Sequence, residues 1–346
     1  MRRAFSRRSA AMLIPALAAF LAVSTSAPAT ARAEVDTVRI SRQPSLNYLA
    51  LMVMEDRQLL EKTARAAGLG DIKVEWLVVA GGNASNEALL SGNLDFASAG
   101  VPVFLTVWDR TRNAANPIKA VAAYNAAPTI LNTNNPNVKT IDDFTGADRI
   151  AVPAVKVSYP ALILQMAAAK RYGDENYTKL DHLTVSLPQV DANQMLLSGT
   201  GGITANFASP PTMYEQMKSP GITTVLHSYD VLGGPATLGI VYTAASFRDS
   251  NPKTYQAFLD AYQEAVDFIA SDPDGAAEVY LRITGDSRST PEFIKSMIED
   301  PQIDFELTPK GMGRYADFMH KVKILREKPA DWKELFFPEI HHLPGS

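Results

Sequence analysis

Residues suited to binding a small molecule follow the ends of several predicted strands. They include amides and hydroxyls that donate and accept hydrogen bonds, aromatic rings that can form flat walls, and glycines that let a ligand approach the backbone. The candidate ligand-binding residues are Ser45, Asn47, Tyr48, Gly82, Asn83, Gly100, Val101, Tyr124, Asn125, Ser158, Tyr159, Asn206, Phe207 and Ser209. Ligands of open α/β sheets bind at the carboxyl ends of strands, so these positions predict one cleft.

Each of these groups also has a structural interpretation, which the sequence leaves open. The pair Gly81-Gly82 can form a plain turn, and the asparagines can serve turn chemistry. Ser158 can cap a helix whose first turn is favoured by Pro160, and this role is compatible with ligand contact. The aromatic side chains can pack in the core. Several candidates nevertheless precede predicted helices, whose free N–H groups favour an anion or a carbonyl oxygen.

Basic side chains are scarce around these candidates. Arg42 and Lys156 are the only basic residues near the predicted strand ends. A site for a small, fully ionised anion often contains an arginine fork. The pattern therefore favours a weakly charged or heteroaromatic ligand somewhat more than nitrate.

Sequence signatures of catalysis and metal binding are missing. The 346 residues contain five histidines and no cysteine, and they show no HExxH, G-x-S-x-G or P-loop frame. Zero cysteine excludes disulfides, thiolate metal sites, cysteine nucleophiles and a lipid anchor on an N-terminal cysteine. We therefore expect no catalytic residue, no metal and no cofactor.

The elements that must position the candidates alternate between strand and helix from residue 37 onward, which predicts a mostly parallel sheet covered by helices. One corner occurs twice, as LLSGNLDFASAGVP at 89–102 and as LLSGTGGITANFASP at 196–210. In both places LLSG closes a predicted helix and leads into a predicted strand. The repeated corner indicates two α/β lobes, each with its own sheet.

The order of elements predicts how the chain divides between the lobes. Residues 34–126 are expected to form the first part of lobe 1, residues 127–230 lobe 2, and the mostly helical residues 231–346 the second part of lobe 1. Two crossings, near residues 124–128 and 229–235, would join the lobes. Two lobes joined by two crossings make a hinge and a ligand cleft.

The N-terminus has the three parts of a secretory signal peptide. MRRAFSRRSA carries four arginines and no acid, an apolar run follows, and Ala31-Arg32-Ala33 fits the small-x-small cleavage rule. We therefore expect residues 1–33 to be a signal peptide removed near Ala33. Arg7-Arg8 leaves both the twin-arginine and the general secretory route open.

Charge and compartment follow from that processing. Removing residues 1–33 takes away five arginines and no acid, which lowers the formal net charge from −4 to −9. An acidic surface argues against nucleic acid or an anionic membrane as the main partner. An exported, unanchored protein without disulfides is expected in a bacterial periplasm, with free secretion as the alternative.

Four stretches, taken in order, resemble a known family. They are LALMVMEDRQLLEK, VEWLVVAGGNASNEALLSGNLDFASAG, VKTIDDFTGADRIAVP and NPKTYQAFLDAYQEAVDFI. Together they resemble periplasmic substrate-binding proteins of ABC importers in the nitrate/sulfonate/taurine class, which includes proteins similar to the thiamine-pyrimidine synthase. Two departures concern the first helix, where Gln58 stands at a position usually held by glycine, and the second corner, where ITANFASPP replaces an acidic residue and tryptophans.

The resemblance implies an α/β fold of the two-lobed, type II periplasmic binding protein ("venus flytrap") kind. It also implies a monomer that delivers a small organic molecule, such as a sulfonate, a taurine-like compound or a heteroaromatic compound, to an ABC permease in the inner membrane. Two alternatives stay open: a ligand-sensing receptor for a membrane kinase and, less favoured, a periplasmic enzyme on the same fold. The cysteine-rich motif of the synthase relatives is absent from this sequence.

Overall fold

The computed structural model describes residues 33–79 and 81–346 of the chain. The predicted signal peptide lies, apart from Ala33, outside the described residues. Glu34–Ser346 pack as one unit. No helix among the described residues combines the length and the apolar character needed to cross a membrane.

Lobe 1 begins with alternating strands and helices. These elements are β1 (Thr37–Arg42), α1 (Leu49–Arg57), α2 (Leu59–Ala66), β2 (Lys73–Val78), α3 (Gly82–Leu90), β3 (Ala97–Gly100), α4 (Val101–Thr111) and β4 (Ile118–Ala126). Helix α1 is buried along Leu49–Met54 and therefore lies inside the lobe. It passes into α2 through Gln58, which adopts a left-handed conformation with φ 52°.

Lobe 2 contains the next group of elements. They are β5 (Ile130–Thr133), β6 (Ile150–Val152), α5 (Tyr159–Tyr172), β7 (Thr184–Ser186), α6 (Gln189–Ser198), β8 (Ala205–Ala208), α7 (Thr212–Met217), β9 (Thr223–His227) and α8 (Ser228–Leu232). Their strands form one sheet in the order β7-β6-β8-β5-β9. The repeated corner is visible here and in lobe 1, because α3 leads into β3 as α6 leads into β8.

The chain then returns to lobe 1 as one strand followed by helices. These are β10 (Thr237–Ala244), α9 (Ala245–Ser250), α10 (Pro252–Ser271), α11 (Pro273–Thr284), α12 (Pro291–Ile298), α13 (Met312–Lys321) and α14 (Trp332–Leu335). Strand β10 joins the first lobe in the order β3-β10-β4, and α10 packs on α1 and α2. The chain thus changes sheet between Ala126 and Ile130 and again between His227 and Thr237.

The sheets are mixed, which corrects the expectation of mostly parallel strands. β1 pairs with β2 in parallel, and β6 pairs in parallel with both β7 and β8. In contrast, β10 runs antiparallel to β3 and β4, and β5 runs antiparallel to β8 and β9. The reason is the two crossings: β5 and β10 each enter their sheet from the other lobe, so no crossover helix sets their direction.

The first residues of the described chain are fixed to the C-terminal helices. Glu34 accepts hydrogen bonds at Oε2 from the backbone N–H of Thr254 (2.7 Å) and from its hydroxyl (2.7 Å), and at Oε1 from the N–H of Lys253 (3.0 Å). These N–H groups belong to the first turn of α10, which has no acceptor for them within the helix. Glu34 therefore supplies an N-terminal cap for α10.

Candidate functional site

A cavity of about 300 Å³ lies between the two lobes. Its wall combines residues of both: Gln43, Ser45, Asn47, Tyr48, Gly81, Gly82, Asn83, Ala84, Gly100, Val103, Tyr124 and Leu238 from lobe 1, and Pro153, Ala154, Val157, Ser158, Tyr159, Pro160, Gln189 and Ser209 from lobe 2. This volume is at the lower end of the range found for ligand pockets. A ligand held here would touch both lobes at once.

Helix N-termini surround this cavity. Helices α3 and α6 begin at the wall residues Gly82 and Gln189, and α4 and α5 begin directly after the wall residues Gly100 and Ser158. The first N–H groups of a helix lack partners inside the helix, and the helix dipole places partial positive charge there. The cavity can therefore receive a carbonyl, hydroxyl or anionic oxygen without a basic side chain.

Three tyrosines provide the aromatic part of the wall. The rings of Tyr48 and Tyr124 lie 4.8 Å apart at an angle of 37°. Tyr159 approaches from lobe 2, and its Cβ would lie 3.2 Å from a Cβ at Gly100, so the missing side chain of this glycine lets the lobes approach closely. Burial raises the pKa of Tyr48 and of Tyr159 to about 12, so both phenols are neutral at physiological pH.

A line of amides and hydroxyls joins the lobes beside the cavity. Asn125 donates from Nδ2 to Oδ1 of Asn47 (2.8 Å), and Asn47 donates from Nδ2 to Oγ of Ser45 (3.3 Å). Ser45 in turn lies 3.5 Å from the carbonyl oxygen of Pro210 in lobe 2. The orientation of Asn47 is therefore fixed by its neighbours before any ligand binds.

Ser158 is used by its own helix. Its hydroxyl donates to the carbonyl oxygen of Ala154 (2.7 Å) and accepts, over a long 3.4 Å, from the N–H of Ala161. Ser158 therefore caps α5 while it lies on the cavity wall. Because the proton is committed to Ala154, a ligand can use the hydroxyl only as an acceptor.

The structure brings ten of the fourteen predicted site residues to this wall. They are Ser45, Asn47, Tyr48, Gly82, Asn83, Gly100, Tyr124, Ser158, Tyr159 and Ser209. Their part in binding stays a prediction, because a position on the wall shows proximity and not contact with a ligand.

Four predicted site residues lie outside the wall. Val101 is fully buried in the core, and Asn125 lies behind Asn47 with 1% of its surface exposed. Asn206 and Phe207 are fully buried within β8. Inside a strand, side chains point to the two faces of the sheet, and on these faces of β8 Asn206 and Phe207 are covered by other residues. The wall instead includes Ser209, after the end of the strand.

Several wall residues were not among the predicted ones. Gln189 could have been found, because it begins the helix that ends in the second LLSG, as Gly82 begins the helix that ends in the first. Leu238 could not, since it arrives on β10 from the return crossing. Pro153 and Ala154 follow β6, where the predicted tip was placed a few residues later.

No charged side chain is part of the cavity wall, as far as the described residues extend. Arg42 is not part of this wall and pairs with Glu55, and Lys156 lies in the loop before α5 with φ 68°. No group of three or more metal-ligating side chains occurs among residues 33–79 and 81–346. The wall offers hydrogen bonds, aromatic surface and helix N-termini, which are means of binding rather than of acid–base catalysis.

Comparison with known proteins identifies the same architecture. A family model described as NMT1/THI5 like matches residues 69–276. A search of curated proteins finds no match. The solved structures compared below are all under 25% identical to this chain and therefore inform on the fold alone.

Three of these structures match this chain over nearly their whole length. The alkanesulfonate-binding protein SsuA from Xanthomonas axonopodis pv. citri, bound to MOPS, has 18% identity and a TM-score of 0.65, with 85% of this chain and 96% of that chain covered. The periplasmic aliphatic sulphonate binding protein SsuA from Escherichia coli has 18% identity and a TM-score of 0.64, with 90% and 100% covered. The ligand binding component of an ABC-type import system from Staphylococcus aureus, with zinc bound, has 17% identity and a TM-score of 0.63, with 88% and 98% covered. The predicted two-lobed periplasmic binding protein fold is thereby confirmed.

Proposed function

The chain belongs to the NMT1/THI5-like family, and from this premise we propose that it is the solute-binding component of an ABC-type importer. It would close its two lobes on one small organic molecule and deliver that molecule to a membrane permease. The observation that carries the proposal is the cavity itself, whose wall comes from both lobes and whose side chains are suited to binding and not to catalysis.

The chemistry of the wall supports a class of solute. Tyr48, Tyr124 and Tyr159 suit a flat ring or a methylene chain, since aromatic faces bury apolar surface well. The N-termini of α3 and α5 suit one oxygen-bearing end, neutral or anionic. We therefore favour a heteroaromatic or apolar body with a carbonyl, hydroxyl or sulfonate end, which includes sulfonates and taurine-like compounds.

The remaining parts of the proposal follow from this role. Lobe 1 would comprise residues 34–126 and 231–346, and lobe 2 would comprise residues 127–230. The mature protein would act in the periplasm as a monomer. Its similarity to two proteins described as sulfonate-binding and to one described as the ligand binding component of an ABC-type import system supports the transport role. A receptor that signals to a membrane kinase would bind its ligand in the same way, and the neighbouring genes would distinguish permease and ATPase from kinase.

Mass spectrometry of the small molecules released from protein purified from the periplasm tests the proposal. We expect one organic compound that rebinds reversibly to the emptied protein and is recovered unchanged after incubation. Chemical conversion of the compound would favour the enzyme alternative. The proposal fails if no compound is released and none of a broad set of sulfonates and heteroaromatic compounds binds.

A further inference from the structure

A second chamber adjoins the first cavity. A ligand that fills only the first cavity would leave this chamber unused. The chamber has a volume of about 280 Å³, and it shares Ser45, Gln189 and Ser209 with the wall of the first cavity. Its other walls come from α6, from α7 with the loop before it, and from α11 with the loop after it. The two spaces are therefore neighbours between the lobes, separated where Ser45 approaches Pro210.

The second chamber differs from the first in carrying charge. Glu215, Asp286 and Arg288 all line it. Asp286 accepts hydrogen bonds from the N–H groups of Arg288 (2.9 Å) and Ser289 (3.3 Å), and the guanidinium of Arg288 lies 3.9 Å from its carboxylate. The opposite charges of Asp286 and Arg288 thus compensate each other. Glu215 therefore contributes the uncompensated negative charge of the wall.

Glu215 is held in place by a buried chain of amides. Asn193 donates from Nδ2 to Oε2 of Glu215 (2.6 Å) and accepts at Oδ1 from Gln216 (3.0 Å), which accepts from Asn132 (3.1 Å). Asn193, Gln216 and Asn132 are all at least 97% buried. Among the described residues, no lysine, arginine or histidine nitrogen lies within 4.0 Å of the Glu215 carboxylate. The chamber wall thus contains a fixed carboxylate that has no ion-pair partner among the described residues.

Gln189 stands at the junction of the two spaces with an unused acceptor. Its Nε2 donates to the carbonyl oxygen of Phe207 (3.0 Å), which fixes the direction of the amide. Its Oε1 is shielded from solvent and has no hydrogen-bond partner among the described residues. A buried acceptor without a donor is destabilising, so an N–H group that reaches Oε1 would be stabilised.

We propose that the second chamber binds a cationic nitrogen, an ammonium or amidinium group, at the far end of the solute whose body fills the first cavity. The nitrogen would pair with Glu215, and an N–H of the linking segment would donate to Oε1 of Gln189. This inference rests on the proposed function and narrows its solute class to elongated molecules with one basic end. The oxygen-bearing end would stay at the helix N-termini of the first cavity.

Matched synthetic probes test the proposal. The set contains benzamide, benzamides with an aminoalkyl chain of graded length in the para position, and their hydroxyalkyl counterparts, each titrated by calorimetry at neutral pH. We expect one aminoalkyl probe to bind roughly tenfold or more tightly than its hydroxyalkyl counterpart, the difference typical of a hydrogen bond to a charged group. Benzamide alone should bind more weakly than either.

Two variants locate the effect. Glu215→Gln keeps an oxygen for Asn193 but removes the charge, so the preference for the aminoalkyl probe over its hydroxyalkyl counterpart should vanish. Glu278→Gln is the control, because Glu278 is an exposed acid on α11 that is not part of the chamber wall. It should leave the preference unchanged, and melting temperatures check that both variants fold.

The outcomes separate this inference from the proposed function. If the probes bind without any preference for the amine, or if Glu215→Gln keeps the preference, the inference is wrong and the solute-binding role stands. If neither these probes nor the compounds released from the purified protein bind, the proposed function fails and the inference fails with it.

Discussion

At the scale of single residues, Ser158 combines a structural and a binding position. Replacing it with alanine removes the cap of α5, and we expect the free energy of unfolding of the ligand-free protein to fall by about 0.5–2 kcal/mol. Chemical denaturation measures this change, and calorimetry measures the affinity for the released solute separately. A loss of affinity without a loss of stability would show that the hydroxyl serves the ligand and not the helix.

Asn206 and Asn132 form a matched pair on neighbouring strands. They are directly opposite each other in the β5–β8 ladder and share one face of the sheet. Asn132 bonds to Gln216 (3.1 Å) and Thr224 (2.8 Å), whereas neither amide atom of the fully buried Asn206 has a partner among the described residues.

Their replacement by leucine should therefore have opposite effects. Asn206→Leu removes an unsatisfied buried amide and should raise the free energy of unfolding by about 1–3 kcal/mol. Asn132→Leu leaves Oε1 of Gln216 without its donor and the Thr224 hydroxyl without its acceptor, and it should lower the free energy of unfolding by about 2 kcal/mol or more. Urea denaturation of both variants checks the signs, and destabilisation by Asn206→Leu would show that its amide has a use in the intact protein.

Residue identities alone were enough to find half of the wall, because binding chemistry clusters around strand ends. Ser45, Tyr48 and Ser158 were predicted in this way. The sequence did not indicate on which side of the strand end a residue falls, so Asn206 and Phe207 were placed in the cleft although they lie inside β8. A shift of two residues along a strand end separates the sheet interior from the cavity.

At the scale of elements, the backbone conformation at Gln58 explains why the resembling family usually has glycine at this position. It joins α1 to α2 in the left-handed conformation (φ 52°), which costs a residue with a Cβ about 1–2 kcal/mol. Glycine adopts this conformation freely but loses more entropy on folding.

We expect Gln58→Gly to raise the free energy of unfolding by about 0.5–1 kcal/mol, the difference between these two effects. Gln263→Gly is the matched control: Gln263 is exposed in the middle of α10, where glycine costs about 1 kcal/mol. Denaturation curves of the two variants should therefore move in opposite directions. Equal destabilisation by both would mean that the turn at Gln58 carries no strain.

Gly239 in strand β10 leaves room for the ring of Tyr124, because glycine has no side chain. A Cβ at Gly239 would lie 1.8 Å from Cζ and from the hydroxyl oxygen of Tyr124, so no side chain fits without moving the ring. Gly239→Ala should lower the free energy of unfolding by about 1–3 kcal/mol and weaken binding of the released solute.

A double-mutant cycle makes this prediction specific. In a Tyr124→Ala background the ring is gone, so Gly239→Ala should cost clearly less than it does alone. Gly313→Ala in α13 is the control, because its Cβ would meet no atom within 4 Å; it should be neutral or stabilising by up to about 1 kcal/mol. Additive effects of Gly239→Ala and Tyr124→Ala would refute the steric explanation.

Element order was largely predictable because apolar periodicity, glycine stops and proline starts mark helices such as α10 and α11. Strand direction was not, because it depends on which lobe the chain comes from. β5 and β10 look like any other strand in the sequence, and only the crossings make them antiparallel.

At the scale of the whole molecule, the lobes touch outside the cavity as well as around it. The Tyr214 hydroxyl bonds to the carboxylate of Asp300, and the Tyr229 hydroxyl donates to the carbonyl oxygen of Gln302 (2.9 Å). Both contacts join lobe 2 to the segment after α12 in lobe 1. They would have to break if the lobes opened about the two crossings.

We therefore expect the released solute to reduce the radius of gyration in small-angle scattering, and Tyr214→Phe to weaken its binding by up to about tenfold. Tyr177→Phe is the control, since the Tyr177 ring packs edge-on against Phe318 of α13 but its hydroxyl forms no hydrogen bond among the described residues. An unchanged radius of gyration on solute binding would argue against hinge closure.

The contacts between lobes were beyond reach of the sequence. Two lobes and two crossings could be expected from the repeated corner, but the pairing of Tyr214 with Asp300 joins residues far apart in the chain. Nothing in the spacing of either residue indicates the other. The second chamber with Glu215 depends on the same packing of the lobes and could not be predicted from the sequence either.

The cap that Glu34 provides for α10 gives the predicted cleavage site a structural meaning. Cleavage after Ala33, as the sequence predicts, leaves Glu34 as the first residue, and its carboxylate holds the N–H groups of Lys253 and Thr254. Trimming by one further residue would remove the acceptor from a helix that packs against α1 and α2. Imprecise processing would thus divide an exported preparation into two populations that differ in thermal stability although their ligand cavities are identical.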